Sequence, residues 1–230
     1  SALEHFESAL SVSSQDDLQG QKVLYMLAGN AAAKIGEKNI QQKDFEEAQT
    51  SFLRSQELLE KAVSIDPEYA RPYITLSGLA YMRALMPALL SGQYEDVGLP
   101  ELQTCFDLLQ KAENAADKPP LADVDAKAHY SRGQCLLLQA LAASPDSYAL
   151  ARAEYLEVIE AYADGQNPRL KEVTAESHAR LGAIYLVEGE KLQAAEEYQI
   201  AINLLADYPE RSQVYEERIQ SLLLTLTPSP

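Results

Sequence analysis

Tryptophan is absent from the 230 residues, and there are only two cysteines and three histidines, which removes several kinds of chemistry at the outset. Cys105 and Cys135 form no C-x-x-C pair and are too few for a disulfide framework. Both lie within helical apolar patterns, so buried thiols are the expectation. Basic residues are scarce as well: 19 Lys and Arg stand against 35 Asp and Glu, a formal charge of −16. A chain this acidic repels phosphate backbones, and no local basic patch offsets it, so nucleic acid is not an expected partner. The charge keeps the protein dispersed in solution. No apolar run approaches the roughly 20 residues that span a bilayer. The opening Ser1-Ala2-Leu3-Glu4-His5 has neither the basic nor the apolar region of a signal peptide. It begins inside a helical pattern, as a segment of a longer protein would. Glycine and proline occur singly, with no low-complexity tract before Thr225 to Pro230, which reads as the start of a linker.

Strand-like alternation is missing too; what fills the chain is helix. Apolar residues recur at three- and four-residue spacing, interrupted by start signals. Ile65-Asp66-Pro67-Glu68 reads as an Asp N-cap, a Pro at the first helical position and a Glu in the first turn. Ser144-Pro145-Asp146, Asn167-Pro168 and Tyr208-Pro209-Glu210 vary the same device. Ten helices are expected, at about 1–12, 16–36, 43–64, 69–91, 99–116, 121–142, 146–163, 168–188, 191–206 and 209–226. Pro87 removes a backbone donor and clashes with the preceding turn, so it should kink or end its helix.

The helices repeat. From Ala175 to Pro209 the chain reads His178-x-x-Leu181-Gly182-x-x-Tyr185, then Gly189, then Ala194-x-x-x-Tyr198-x-x-Ala201. This resembles the tetratricopeptide repeat, with its W-x-x-L-G-x-x-Y, A-x-x-x-F and later Pro. His178 stands in place of the usual Trp and Tyr198 in place of Phe. Small residues such as Gly182, Ala194 and Ala201 let two antiparallel helices approach, and Tyr185 and Tyr198 fill the space between them. Three weaker copies precede this unit. The first has Tyr25, Ala28, Gly29 and Ala32, then Ser55, Leu59 and Ala62. The second has Tyr73, Leu76, Ser77 and Ala80, then Cys105, Leu109 and Ala112. The third has His129, Arg132, Gly133 and Leu136, then Ala151, Tyr155 and Val158. Ala2, Phe6 and Ala9 match only a second helix. The junction Ala62, Ile65, Asp66, Pro67, Ala70, Tyr73, Leu76 matches the family's link between repeats position by position.

The resemblance implies an all-α, right-handed α-solenoid of antiparallel helix pairs. Residues 1–230 then form one domain: a half repeat (1–15), repeats at about 16–66, 67–119, 120–166 and 167–208, and a capping helix (209–226) carrying Val214, Tyr215, Ile219, Leu222 and Leu223. Repeats one to three are longer than the last, and repeat two holds an insertion near Pro87 to Pro100. The resemblance also implies a non-catalytic interaction module or scaffold that takes a peptide or partner protein along the groove of the first helices. The matching groove positions are Met26, Asn30 and Lys34; Ile74 and Met82; and Tyr130, Gln134 and Leu137. The family's carboxylate clamp is matched only by Asn30 and Lys127, with Met26, Thr75 and Ser131 at its other positions, so that mode is not expected. Soft methionines and aromatic edges suit an amphipathic helix or apolar peptide instead. A structural spacer or self-association element is the alternative, and a small-ligand carrier the third reading.

No H-E-x-x-H, P-loop or G-x-S-x-G pattern occurs. Neither cofactor nor metal is implied, and no catalytic residue is expected. His129 and His178 fall at the family's Trp position, which makes them packing residues. Neighbouring carboxylates such as Glu46-Glu47 and Glu196-Glu197 point apart on a helix and form a solvated face. Unpaired cysteines favour a soluble domain in the reducing cytoplasm, while an excised leader leaves an extracytoplasmic location open.

Overall fold

The computed structural model describes residues 1–14, 17–116, 122–162, 165 and 170–226. Among them are ten α-helices, one short 3-10 turn at Tyr94–Asp96 and no strand. The helices are α1 (Ala2–Val12), α2 (Leu18–Gln41), α3 (Phe45–Ile65), α4 (Ala70–Ser91), α5 (Leu99–Asn114), α6 (Ala122–Ala142), α7 (Ser147–Ala161), α8 (Lys171–Val187), α9 (Lys191–Leu204) and α10 (Pro209–Leu226). Helix α2 runs a turn past its expected end. The Asn167-Pro168 signal and the tail after Leu226 lie outside the described residues.

Local chemistry sets the helix starts. Ser1 and Glu4 form a reciprocal capping box on α1. Asp17 accepts from the Gly20 amide at the head of α2, and Asp44 from the Glu47 amide at the head of α3. One expected start signal serves a different purpose. Asp66 closes α3 as its C-cap, and α4 begins only at Ala70, behind Tyr69. The Asp66 side chain caps the intervening turn instead, accepting from the Glu68 amide at 3.0 Å. Its second oxygen is taken by Lys22. Pro87 does not end α4, which continues through it to Ser91 and stops at Gly92, where φ is 77°. With one turn left before that left-handed cap, the proline forfeits one hydrogen bond rather than the helix.

By compactness the chain forms two units, Ser1–Val124 and Asp125–Pro230. In the first, α2 and α3 run antiparallel: Ser55 Oγ donates to the Gly29 carbonyl at 2.8 Å, Phe52 lies against Gly36, and Lys22 meets Asp66. The pair α4 and α5 does the same, with Gly98 bonded back to the Ala84 carbonyl and Ala70 clustered with Ala115. A core of Met26, Phe52, Leu59, Tyr73, Leu76 and Leu79 joins the two pairs. Phe6 of α1 packs with Leu3 and Leu10 against Ala28, Ala32 and Leu58, whereas Ala2 is exposed. The insertion folds onto α4 through the 3-10 turn, and buries Val97.

In the second unit α6 pairs with α7 and α8 with α9. Gly133 and Gly182 show why their positions stay bare. A Cβ at Gly133 would sit 2.7 Å from the Tyr155 ring, and one at Gly182 3.0 Å from the Tyr198 ring. Both rings are fully buried, so each tyrosine fills the gap that its glycine opens. Helix α10 covers the α8–α9 pair through Tyr215 and Ile219, while Val214, expected on that face, is exposed.

Two further expectations are corrected. Cys105 and Cys135 are buried as foreseen, but both are disulfide-bonded rather than free thiols. Helix α4 is long and apolar enough to cross a membrane by length and composition, though no such run stood out in the sequence. Core helices pass the same test, and α4 packs against α2, α3 and α5 and carries Arg71 and Arg83.

Candidate functional site

Met26, Asn30 and Lys34 are spaced one turn apart along α2, so they share a stripe. The stripe descends into the protein. Met26 is only 5% exposed and belongs to the core, Asn30 is half-buried, and Lys34 is exposed. Asn30 ties the stripe to α4: its Nδ2 donates to the Met26 sulfur at 3.0 Å, and its Oδ1 accepts from Thr75 Oγ1 at 2.7 Å. Ile74 and Met82 of α4 are half-buried and pack on the same core cluster that contains Met26. In the first unit Asn30 thus reaches α4 through Thr75, while Ile74 and Met82 pack on the core in which Met26 is buried. Sequence reasoning set Thr75 down as a mismatch to a carboxylate clamp. Its β-branched hydroxyl instead occupies Asn30, leaving that amide's carbonyl oxygen engaged internally.

Tyr130, Gln134 and Leu137 lie in the second unit on α6. Gln134 Nε2 donates to the Tyr130 hydroxyl at 3.2 Å, and the Tyr130 ring is tilted against Tyr155 with centroids 6.0 Å apart. Leu137 packs on the cluster of Ala151, Tyr155, Leu181 and Ile184. All three are half-buried.

Titratable groups near these faces are held in structural pairs. The Lys22 ammonium is buried, meets Asp66 and sits 4.8 Å over the Tyr69 ring. The lysine's hydrogen bond holds the Asp66 carboxyl below its usual range, with the Glu68 amide assisting. His129 Nδ1 lies 2.7 Å from Glu154, and His178 Nδ1 lies 2.6 Å from Glu197. In both cases the glutamate directly precedes the buried tyrosine of its repeat, Tyr155 or Tyr198. This His-to-Glu-Tyr register was legible in the sequence and was missed. The Glu154 hydrogen bond raises the His129 pKa, against burial and the Arg132 charge. On α10, Tyr215 donates to Glu176 at 2.9 Å, and burial together with that carboxylate pushes its phenol up. Among the described residues, no group of three His, Cys, Asp or Glu is placed to hold a metal ion.

Neither a protein-family model nor a curated protein matches this chain. Among solved structures, it is similar to a thermophilic tetratricopeptide-repeat protein of Thermus thermophilus. The TM-score is 0.55 at 22% identity, over 96% of this chain and 89% of that one. That likeness establishes the fold: all-α, built of tetratricopeptide-type helix pairs in the manner of an α-solenoid.

Proposed function

We propose that the chain is a non-catalytic docking module that takes a peptide or partner protein on the first helices of its repeats. The observation that carries this reading is the Met26–Asn30–Thr75 latch. It ties α2 to α4, and we take the accessible Lys34 on α2 and the half-buried Ile74 and Met82 on α4 as the docking residues beside it. A face preorganised in this way loses little entropy when a partner settles on it. Tyr130, Gln134 and Leu137 supply an aromatic and apolar counterpart in the second unit. No cofactor is assigned, and the histidines serve the packing. Unpaired cysteines were the ground for a cytoplasmic location, and with both oxidised that ground is gone.

The test is capture from native extract with the full chain as bait, against Lys34→Glu/Met82→Ser and, separately, Tyr130→Ala/Leu137→Ser. A partner held by the unmodified chain and lost by either double variant supports docking on that face. Equal capture by all three moves the site elsewhere.

A second reading has its own observation. Leu150 and Leu156 on α7, and Leu192 and Ile200 on α9, are exposed on second helices. Such residues suit self-association. A single monomeric species by sedimentation velocity at the highest attainable concentration would end that reading.

A further inference from the structure

Between α3 and the last turns of α4 lies an open cleft of about 320 Å³. Its walls are Phe52, Leu53, Met86, Pro87 and Leu90, and its polar groups are Gln49 and Arg83. None of these belongs to the docking face described above. Leu53 and Leu90 remain 53% and 64% exposed at its edge, so apolar surface here is left uncovered.

Arg83 is what gives this cleft a chemical preference. The chain carries 35 acidic residues against 19 basic ones, yet the lining holds one cation and no anion. Three other guanidinium groups are met by carboxylates: Arg54 by Glu7 and Glu57, Arg132 by Glu154, and Arg152 by Glu188. Half-buried Arg83 bonds through Nη1 to the neutral amide oxygen of Gln56, and no described carboxylate pairs with it. A guanidinium has five N–H donors in a fork that fits a carboxylate, so most of its capacity is open. The cleft is open and does not enclose an alkyl chain as lipid-carrying pockets do.

We propose that this cleft docks a peptide bearing a large apolar side chain next to a carboxylate. The apolar group settles among Phe52, Leu53 and Met86, and the carboxylate pairs with Arg83. It is a second recognition site, separate from the α2–α4 face, and a partner could engage either alone.

Because the protein has no tryptophan, a tryptophan-bearing probe reports binding without background. N-acetyl-Leu-Leu-Trp with a free carboxylate, its C-terminal amide, and N-acetyl-Leu-Trp-Asp-amide are each titrated with the full chain while probe fluorescence is followed. A saturable blue shift is expected with the free acid, the Asp peptide or both, and which one responds tells a terminal from a side-chain carboxylate. The neutral amide should bind about ten-fold more weakly, as should either acid to Arg83→Gln, the loss of one charged hydrogen-bonded contact. Leu90→Glu, at an exposed position that folding does not need, should abolish the shift. Binding of the neutral amide as tight as that of the better of the two acids, unchanged binding by Arg83→Gln, or no saturable shift with any probe overturns the proposal. Displacement of the peptides by equimolar decanoate overturns the assignment to a peptide.

Discussion

Tyr198 stands where the tetratricopeptide pattern has phenylalanine, and its hydroxyl is buried with no hydrogen-bond partner. An unmet buried hydroxyl costs about 1–3 kcal/mol, whereas the ring itself is needed to fill the gap over Gly182. Tyr198→Phe should therefore raise stability by about 1 kcal/mol, read as a higher denaturant midpoint at unchanged slope. The glycines give a graded test. Replacing glycine by alanine inside a helix gains about 1 kcal/mol of propensity, but overpacking a core costs about 1–3 kcal/mol. At Gly133 the new Cβ would stand 2.7 Å from the buried Tyr155 ring, so packing wins and Gly133→Ala destabilises. At Gly182 the nearest ring atom is at 3.0 Å, and Gly182→Ala should cost less. A larger loss at Gly182 than at Gly133 would contradict this account. The His129–Glu154 pair supplies a pH dependence. Its folded-state pKa is raised by Glu154, so its contribution is complete below the unfolded value, about 6.5, and is lost as pH rises through the folded value. Wild type should thus lose ground relative to His129→Gln between pH 6 and pH 8.5 in parallel denaturant titrations.

Helices meet through a few polar ties set among apolar contacts. Lys22 is the principal one in the first unit, joining α2 to the turn between α3 and α4. Asp66 is the partner whose pKa is lowered, so its share of stability is present above the unfolded value of about 3.9 and lost as pH falls through the folded one. Removing one member of a fully buried pair costs about 3–5 kcal/mol. The Asp66 side chain keeps 21% exposure, so Lys22→Met should cost less, about 2 kcal/mol, with the difference from wild type vanishing toward pH 2. A loss that persists unchanged at pH 2 would show that the lysine stem, not its charge, matters. The same aspartate marks a failure of sequence reading. Asp66-Pro67 reads as a helix start because capping statistics are local, but its side chain caps the turn before α4 and meets a lysine 44 positions earlier in the chain. Pro87 departs from expectation for a related reason: how much a proline breaks depends on how much helix remains after it.

For the whole molecule, the reading of residues 1–230 as one domain is a proposal about cooperativity. Repeat arrays are held by interfaces between neighbours, so stability is shared along the chain. A single calorimetric transition whose van't Hoff and calorimetric enthalpies agree is the expected result. Two separable transitions would assign independent stability to Ser1–Val124 and Asp125–Pro230. The all-α class, the ten helices and the repeated Gly and Tyr positions were legible in the sequence, because helix periodicity and close-approach residues are local properties that the chain carries along its length. The partnerships were not. That Met26 is core rather than a contact, that Asn30 faces Thr75, and that Arg83 is left beside an apolar cleft all depend on which side chains meet across a helix pair. Hydrophobic pattern specifies which face of each helix turns inward, but only tertiary packing decides the depth to which a residue sinks and the polar atom it finds there.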